Sequence, residues 1–93
     1  MVDDIALHRD TARRAQAEAL LRNELLAEAW AAQETELILA WRMSAAMAHE
    51  EREWIWRQLQ AVAKARAHLT TIINDGKLAQ REIDERQVAH GRL

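Results

Sequence analysis

A histidine and a glutamate four residues apart on a helix can share a metal ion, and His49-Glu50-Glu51-Arg52-Glu53 offers that spacing. The zinc-protease arrangement needs a second histidine at i+4, with a glutamate between the two as base. Position 53 is glutamate, so the second imidazole is missing. The segment reads as a solvated acidic helix start, with a weak His49/Glu53 metal pair at an interface as its alternative. Di-iron bundles need Glu-x-x-His pairs facing inward. The residues three before His8, His49, His68 and His90 are Ile5, Ala46, Ala65 and Gln87, none of them a carboxylate. His68 could hold a haem inside a bundle, but a lone histidine on a half-apolar helix reads first as a half-buried packing residue. Ser44 is the only serine and has no glycine elbow around it, so a nucleophile turn is not built. Cysteine is absent, which removes disulfides, thiolate catalysis and thiolate metal sites. Asn74-Asp75-Gly76-Lys77 lacks the glycine spacing and the following Ser or Thr of a phosphate loop. It reads as a helix stop, with Gly76 in the left-handed position that only glycine adopts without strain. Arg9 and Arg13 share a face in the one basic cluster, partly offset by Asp10; a solvated face and a nucleic-acid contact are both open there. No catalytic residue, metal or cofactor is expected, and the chain reads as a non-enzyme.

The remaining chemistry is that of recognition. Four tryptophans, Trp30, Trp41, Trp54 and Trp56, stand in a chain without phenylalanine or tyrosine. On a helix advancing ~100° per residue, Trp54 and Trp56 point about 160° apart, so one face cannot bury both. Trp30 and Trp41, eleven apart, differ by only about 20° and share a stripe. That stripe is expected in a core, with one of Trp54 and Trp56 joining it and the other left for an intermolecular contact, where aromatics are enriched. The expected interface residues are Trp30, Ile38, Trp41, Trp54, Trp56 and Ile73, with Met43 and Met47 as adaptable packing nearby.

The elements that must carry these residues are all helical. Proline is absent, only Gly76 and Gly91 are glycines, and Ala, Leu, Glu, Arg and Gln are abundant. No run alternates apolar and polar residues with period two. One helical domain is expected over residues 1–93. An N-terminal helix spans 1–22, capped by Asp3 or Asp4 and laced by Asp10–Arg14 and Glu18–Arg22 pairs. Helices 24–43 and 49–75 form an antiparallel hairpin, and a short helix follows at 77–90. Asn23 is either a break with a cap or a position the helix runs through. Leu26, Trp30, Leu37 and Trp41 stripe the second helix, and Leu37, Ile38 and Leu39 wrap much of its girth. Ile55, Leu59, Val62, Leu69, Ile72 and Ile73 stripe the third. Residues 44–48 are the reversal. A two-helix ribbon has little interior, so apolar residues on both sides predict a helical-bundle oligomer.

The net charge is −2, and by segment it is 0 for 1–22, −3 for 23–43, 0 for 44–76 and +1 for 77–93. An acidic balance argues against a nucleic-acid partner. The Met-Val-Asp-Asp start is acidic where a secretory signal is basic. The densest apolar run, Leu37 to Trp41, is far short of the ~20 residues that span a bilayer. No membrane partner is expected, and a cytoplasmic location is.

The segment Glu51-Arg52-Glu53-Trp54-Ile55-Trp56-Arg57-Gln58-Leu59, continuing through Ala67-His68-Leu69-Thr70-Thr71-Ile72-Ile73 to Asp75-Gly76-Lys77-Leu78-Ala79, resembles small uncharacterised helical proteins of tailed bacteriophages and prophages. Arg14-Ala15 to Leu20-Leu21 matches the start of the same pattern, and the likeness covers about two thirds of the chain. The resemblance implies genes that neighbour head and packaging genes, and hence a virion or assembly role in an infected bacterial cell. It brings no catalytic residues. The resulting expectation is a viral structural or assembly protein. It acts as a homo-oligomer through protein–protein interaction and docks on a head component, another phage protein. Two alternatives stand beside it: a phage-encoded regulator that inhibits or redirects a host protein through its apolar helix face, and a small-terminase-type DNA-packaging subunit.

Overall fold

A computed structural model of the chain describes residues 3–91. Among them 92% are helical and no strand occurs. Three helices follow in order, α1 (Asp4–Arg22), α2 (Glu24–Met43) and α3 (His49–Gly91). Residues 1 and 2 of the expected first helix lie outside the described residues. The contacts cluster into two compact units. One comprises residues 22–67; the other comprises the described residues up to 21 with those from 68 onward.

Local chemistry sets the helix starts. The Asp3 carboxylate accepts the Ile5 amide at 3.2 Å, and the Asp3 carbonyl accepts the Leu7 amide, so Asp3 is the cap of α1. The chain breaks at Asn23. Its backbone is extended (φ −70°, ψ 114°), its side-chain oxygen accepts the Leu26 amide at 2.9 Å, and its carbonyl starts α2. An asparagine side chain replaces the helix bond that the backbone gives up, which is why a chain with no proline there still breaks.

In the unit of residues 22–67, α2 ends at Ser44, whose backbone is extended, and the reversal occupies 44–48 as its sequence suggests. The first turn of α3 carries Glu50 and Glu51, where the helix dipole favours acids. Arg52 lies over Trp41, and Arg66 lies over Trp30 while pairing with Glu34 at 2.9 Å. The partner of Trp41 stands earlier in α3 than the partner of Trp30, so this stretch of α3 lies along α2. Leu37 and Ile55 are the buried side chains between them, Ile55 at 1% exposure. Leu26 and Trp30 on α2, and Leu59 and Val62 on α3, are half-buried along the same stripes.

In the other unit, α1 packs on the C-terminal part of α3, with Leu7, Ala17 and Ala79 buried. Here α3 departs from expectation. Instead of stopping at Asn74-Asp75-Gly76 and resuming at 77, it continues unbroken to Gly91, and no described glycine has positive φ. Gly76 is buried, and a Cβ built on it would lie 2.8 Å from the Asp10 carbonyl oxygen and against the Arg14 side chain. The glycine therefore serves close approach of two helices rather than termination. A mid-helix glycine costs about 1 kcal/mol against alanine, and the contact with α1 that it permits offsets that cost. Ile55, Leu59, Val62, Arg66, Leu69, Ile73, Gly76, Gln80 and Ile83 are all buried or half-buried, at alternating spacings of four and three. That is the seam of a coiled-coil-like helix, and it runs through Gly76 without a change of phase. Charges finish this unit. Arg86 pairs with both Asp4 and Glu82, and Arg14 pairs with Glu18 at 2.7 Å, where an Asp10–Arg14 pair was the expectation from spacing.

Candidate protein–protein interface

The reversal in the first unit is tied by one arginine. The Ser44 hydroxyl donates to the Trp41 carbonyl at 2.6 Å, and Arg52 Nε donates to the Ser44 hydroxyl oxygen at 2.8 Å. The same guanidinium sits 4.7 Å from the centre of the Trp41 ring. About four turns further along the seam, Arg66 repeats the arrangement on Trp30 at 5.1 Å. Each such cation–π contact contributes about 0.5–1 kcal/mol at a partly exposed site. More to the point, each fixes the plane of an indole and decides which ring face remains open.

Ile55 is buried between Trp54 and Trp56, and this corrects the expectation that one of the two tryptophans joins the core. Both are more than half exposed, at 58% and 54%. When the residue between them points straight at α2, each neighbour turns about 100° away from that line, one to either side. The 160° separation read from the sequence therefore lies on the side away from α2, and the two rings project from opposite flanks of α3.

On the Trp56 flank, Ile38, Trp41, Trp56 and Leu59 line a groove of about 240 Å³ with Arg42 at its edge. Of the six residues expected at an interface, the fold thus brings together Ile38, Trp41 and Trp56. Trp41 is 37% exposed, so it belongs to the rim of the core rather than to its centre. Trp30 is half-buried beneath Arg66. Trp54 stands alone on the far flank, and Ile73 is half-buried in the other unit. Met43 and Met47 are both largely exposed. Sequence reasoning missed Arg42 and Leu59 as groove residues, and Arg52 and Arg66 as roofs over the indoles. The signal was present: a reversal centred near residue 46 puts position 41 opposite 52 and position 30 near 63–66.

The polar candidates do not converge on a site. Glu53 accepts from Arg57 Nη2 at 2.8 Å, one turn along the helix. His68 is exposed rather than half-buried, because it falls one residue before the seam position Leu69. Arg9 and Arg13 lie on the exposed side of α1. Among the described residues no three His, Cys, Asp or Glu side chains converge as a metal site, and no buried side-chain polar atom lacks a partner. Among them, too, no helix is long and apolar enough to cross a membrane. What the arrangement offers chemically is apolar and aromatic recognition beside charged rims. Comparison with protein-family models, with curated proteins and with solved structures finds no match for this chain.

Proposed function

We propose that the chain is a non-enzymatic interaction protein that works as a helical homo-oligomer, built on an antiparallel hairpin of α2 with the first half of α3. The observation that carries this reading is the apolar surface left over by residues 22–67. Only Leu37 and Ile55 are buried there, while Ile38, Leu39, Trp41, Trp54 and Trp56 stay substantially exposed. Covering a half-exposed indole removes on the order of 100 Å² from water, or roughly 2.5 kcal/mol each. Several indoles on one small unit supply enough to hold copies together against the cost of association.

The resemblance to tailed-phage and prophage helical proteins supports the biological setting. On it, the oligomer is an assembly or virion component that docks on a head protein in the infected cell. The decisive experiment is the solution mass of the full chain by light scattering behind size exclusion. A discrete multimer at micromolar concentration is the expected result. A chain that remains monomeric at hundreds of micromolar overturns the reading.

A further inference from the structure

Trp54 and the groove beside Trp56 face away from each other, and their surroundings carry opposite charge. Glu51 and Glu50 lie three and four residues before Trp54, on the same side of the helix, and neither has an ion pair among the described residues. Arg42 edges the groove, also without an ion pair among the described residues, and Lys64 lines the adjoining surface next to Trp56. Glu53 and Arg57 neutralise each other, so neither adds to either rim. One flank is therefore an acid-rimmed knob and the other a basic-rimmed apolar hole.

We propose that Trp54 of one copy seats in the Ile38–Trp41–Trp56–Leu59 groove of the next, with Glu50 and Glu51 meeting Arg42. This rests on the homo-oligomer reading above and deepens it by fixing which surfaces meet. The charges select this pairing. Groove against groove brings Arg42 and Lys64 of two copies together, and knob against knob does the same with four glutamates; groove against knob joins opposites. Because the two surfaces differ and point about 160° apart, the contact is heterologous. It builds a ring if the rotation closes and a filament if it does not, rather than a two-fold dimer.

The test uses two full-length variants, each carrying one half of the contact. Trp54→Ala has a groove and no knob; Ile38→Glu has a knob and a blocked groove. Both positions are exposed, so both variants keep the helical circular-dichroism spectrum of the wild type. Each alone weakens self-association at least about tenfold. Mixed in equal amounts they form a 1:1 complex and nothing larger. A charge swap checks the same contact without touching apolar packing: Arg42→Glu lowers the wild-type mass, and adding Glu50→Arg and Glu51→Arg restores it. If the wild type is itself monomeric, the homo-oligomer reading and this inference fall together. If the wild type is a multimer but Trp54→Ala keeps its mass, or the two variants fail to pair, the seating is wrong while the oligomer stands.

Discussion

The seam in residues 22–67 is built from Leu37 and Ile55, with Trp30 and Trp41 roofed by Arg66 and Arg52. In the other unit it is built from Leu7, Ala17, Ala79 and a buried Gly76. Large side chains hold helices apart, so side chains one position off the seam cannot be covered by a single neighbour and stay at the rim. Small side chains let the backbones approach, and the surface beside them is closed by ion pairs such as Arg86 with Asp4 and Glu82. The depressions differ accordingly. The first unit has the apolar groove at Trp56; the second has a hollow in which Leu7, Leu78 and Ala79 lie among Asp10, Asp75 and Glu82. The exposed apolar side chains of the second unit, Ile5, Leu20, Leu21, Leu78 and Val88, include no aromatic. The contrast teaches that bulk on a two-helix seam is traded against surface: the unit with the larger residues is the one that leaves aromatic side chains exposed.

Four substitutions break or sharpen that contrast. Ile55→Ala should have the largest effect, since it removes the most buried side chain of a thin core; a loss of about 3 kcal/mol is expected, read as a lowered midpoint in urea unfolding. A loss under about 1 kcal/mol would mean that the wide seam does not rest on its buried centre. Gly76→Ala comes next and tests sign as well as size. On an isolated helix it should stabilise by about 1 kcal/mol. Here it should destabilise by about 1–3 kcal/mol, because the added methyl meets Asp10 and Arg14. Hydrogen exchange would show the loss as faster exchange in α1, and a rise in melting temperature would refute the close-approach account.

Asn23→Ala removes the side-chain acceptor of the Leu26 amide and should cost about 1 kcal/mol. Thermal melting monitored by circular dichroism is sufficient to see it, and an unchanged melt would show that the break does not depend on the cap. The smallest change is Arg66→Gln, which removes the cation over Trp30 and the Glu34 pair, a surface interaction of modest worth. About 0.5–1 kcal/mol should be lost, together with a shift in tryptophan fluorescence. The same substitution at Arg81, which has no ion pair among the described residues, should leave both readings unchanged.

Much of this was legible beforehand. The all-helical class, the reversal at 44–48, the stripe from Ile55 to Ile73 and the opposed directions of Trp54 and Trp56 follow from residue type and the 3.6-residue period. The cap at Asn23 was visible as one of two choices. The end of α3 was misread because Asn74-Asp75-Gly76 looks like a stop when only local preference is weighed. The competing signal was the four–three spacing, which continues in phase from Ile73 through Gly76 and Gln80 to Ile83. In the interface, Trp54 and Trp56 were identified as a pair, but the seam direction that makes both peripheral was not.

The sequence by itself determined that this chain is helical, where it turns and which side chains compete for burial, because propensity, capping and periodicity act within a few residues. Only the tertiary structure decided that Gly76 is a contact and not a terminus, and that Ile55 and not a tryptophan faces α2. It also decided that Ile38, Trp41 and Trp56 meet in one groove. Those outcomes depend on which residues, distant in the chain, lie opposite one another. A contact with Asp10 or Arg14 is invisible to the neighbours of Gly76 until α1 is laid against it.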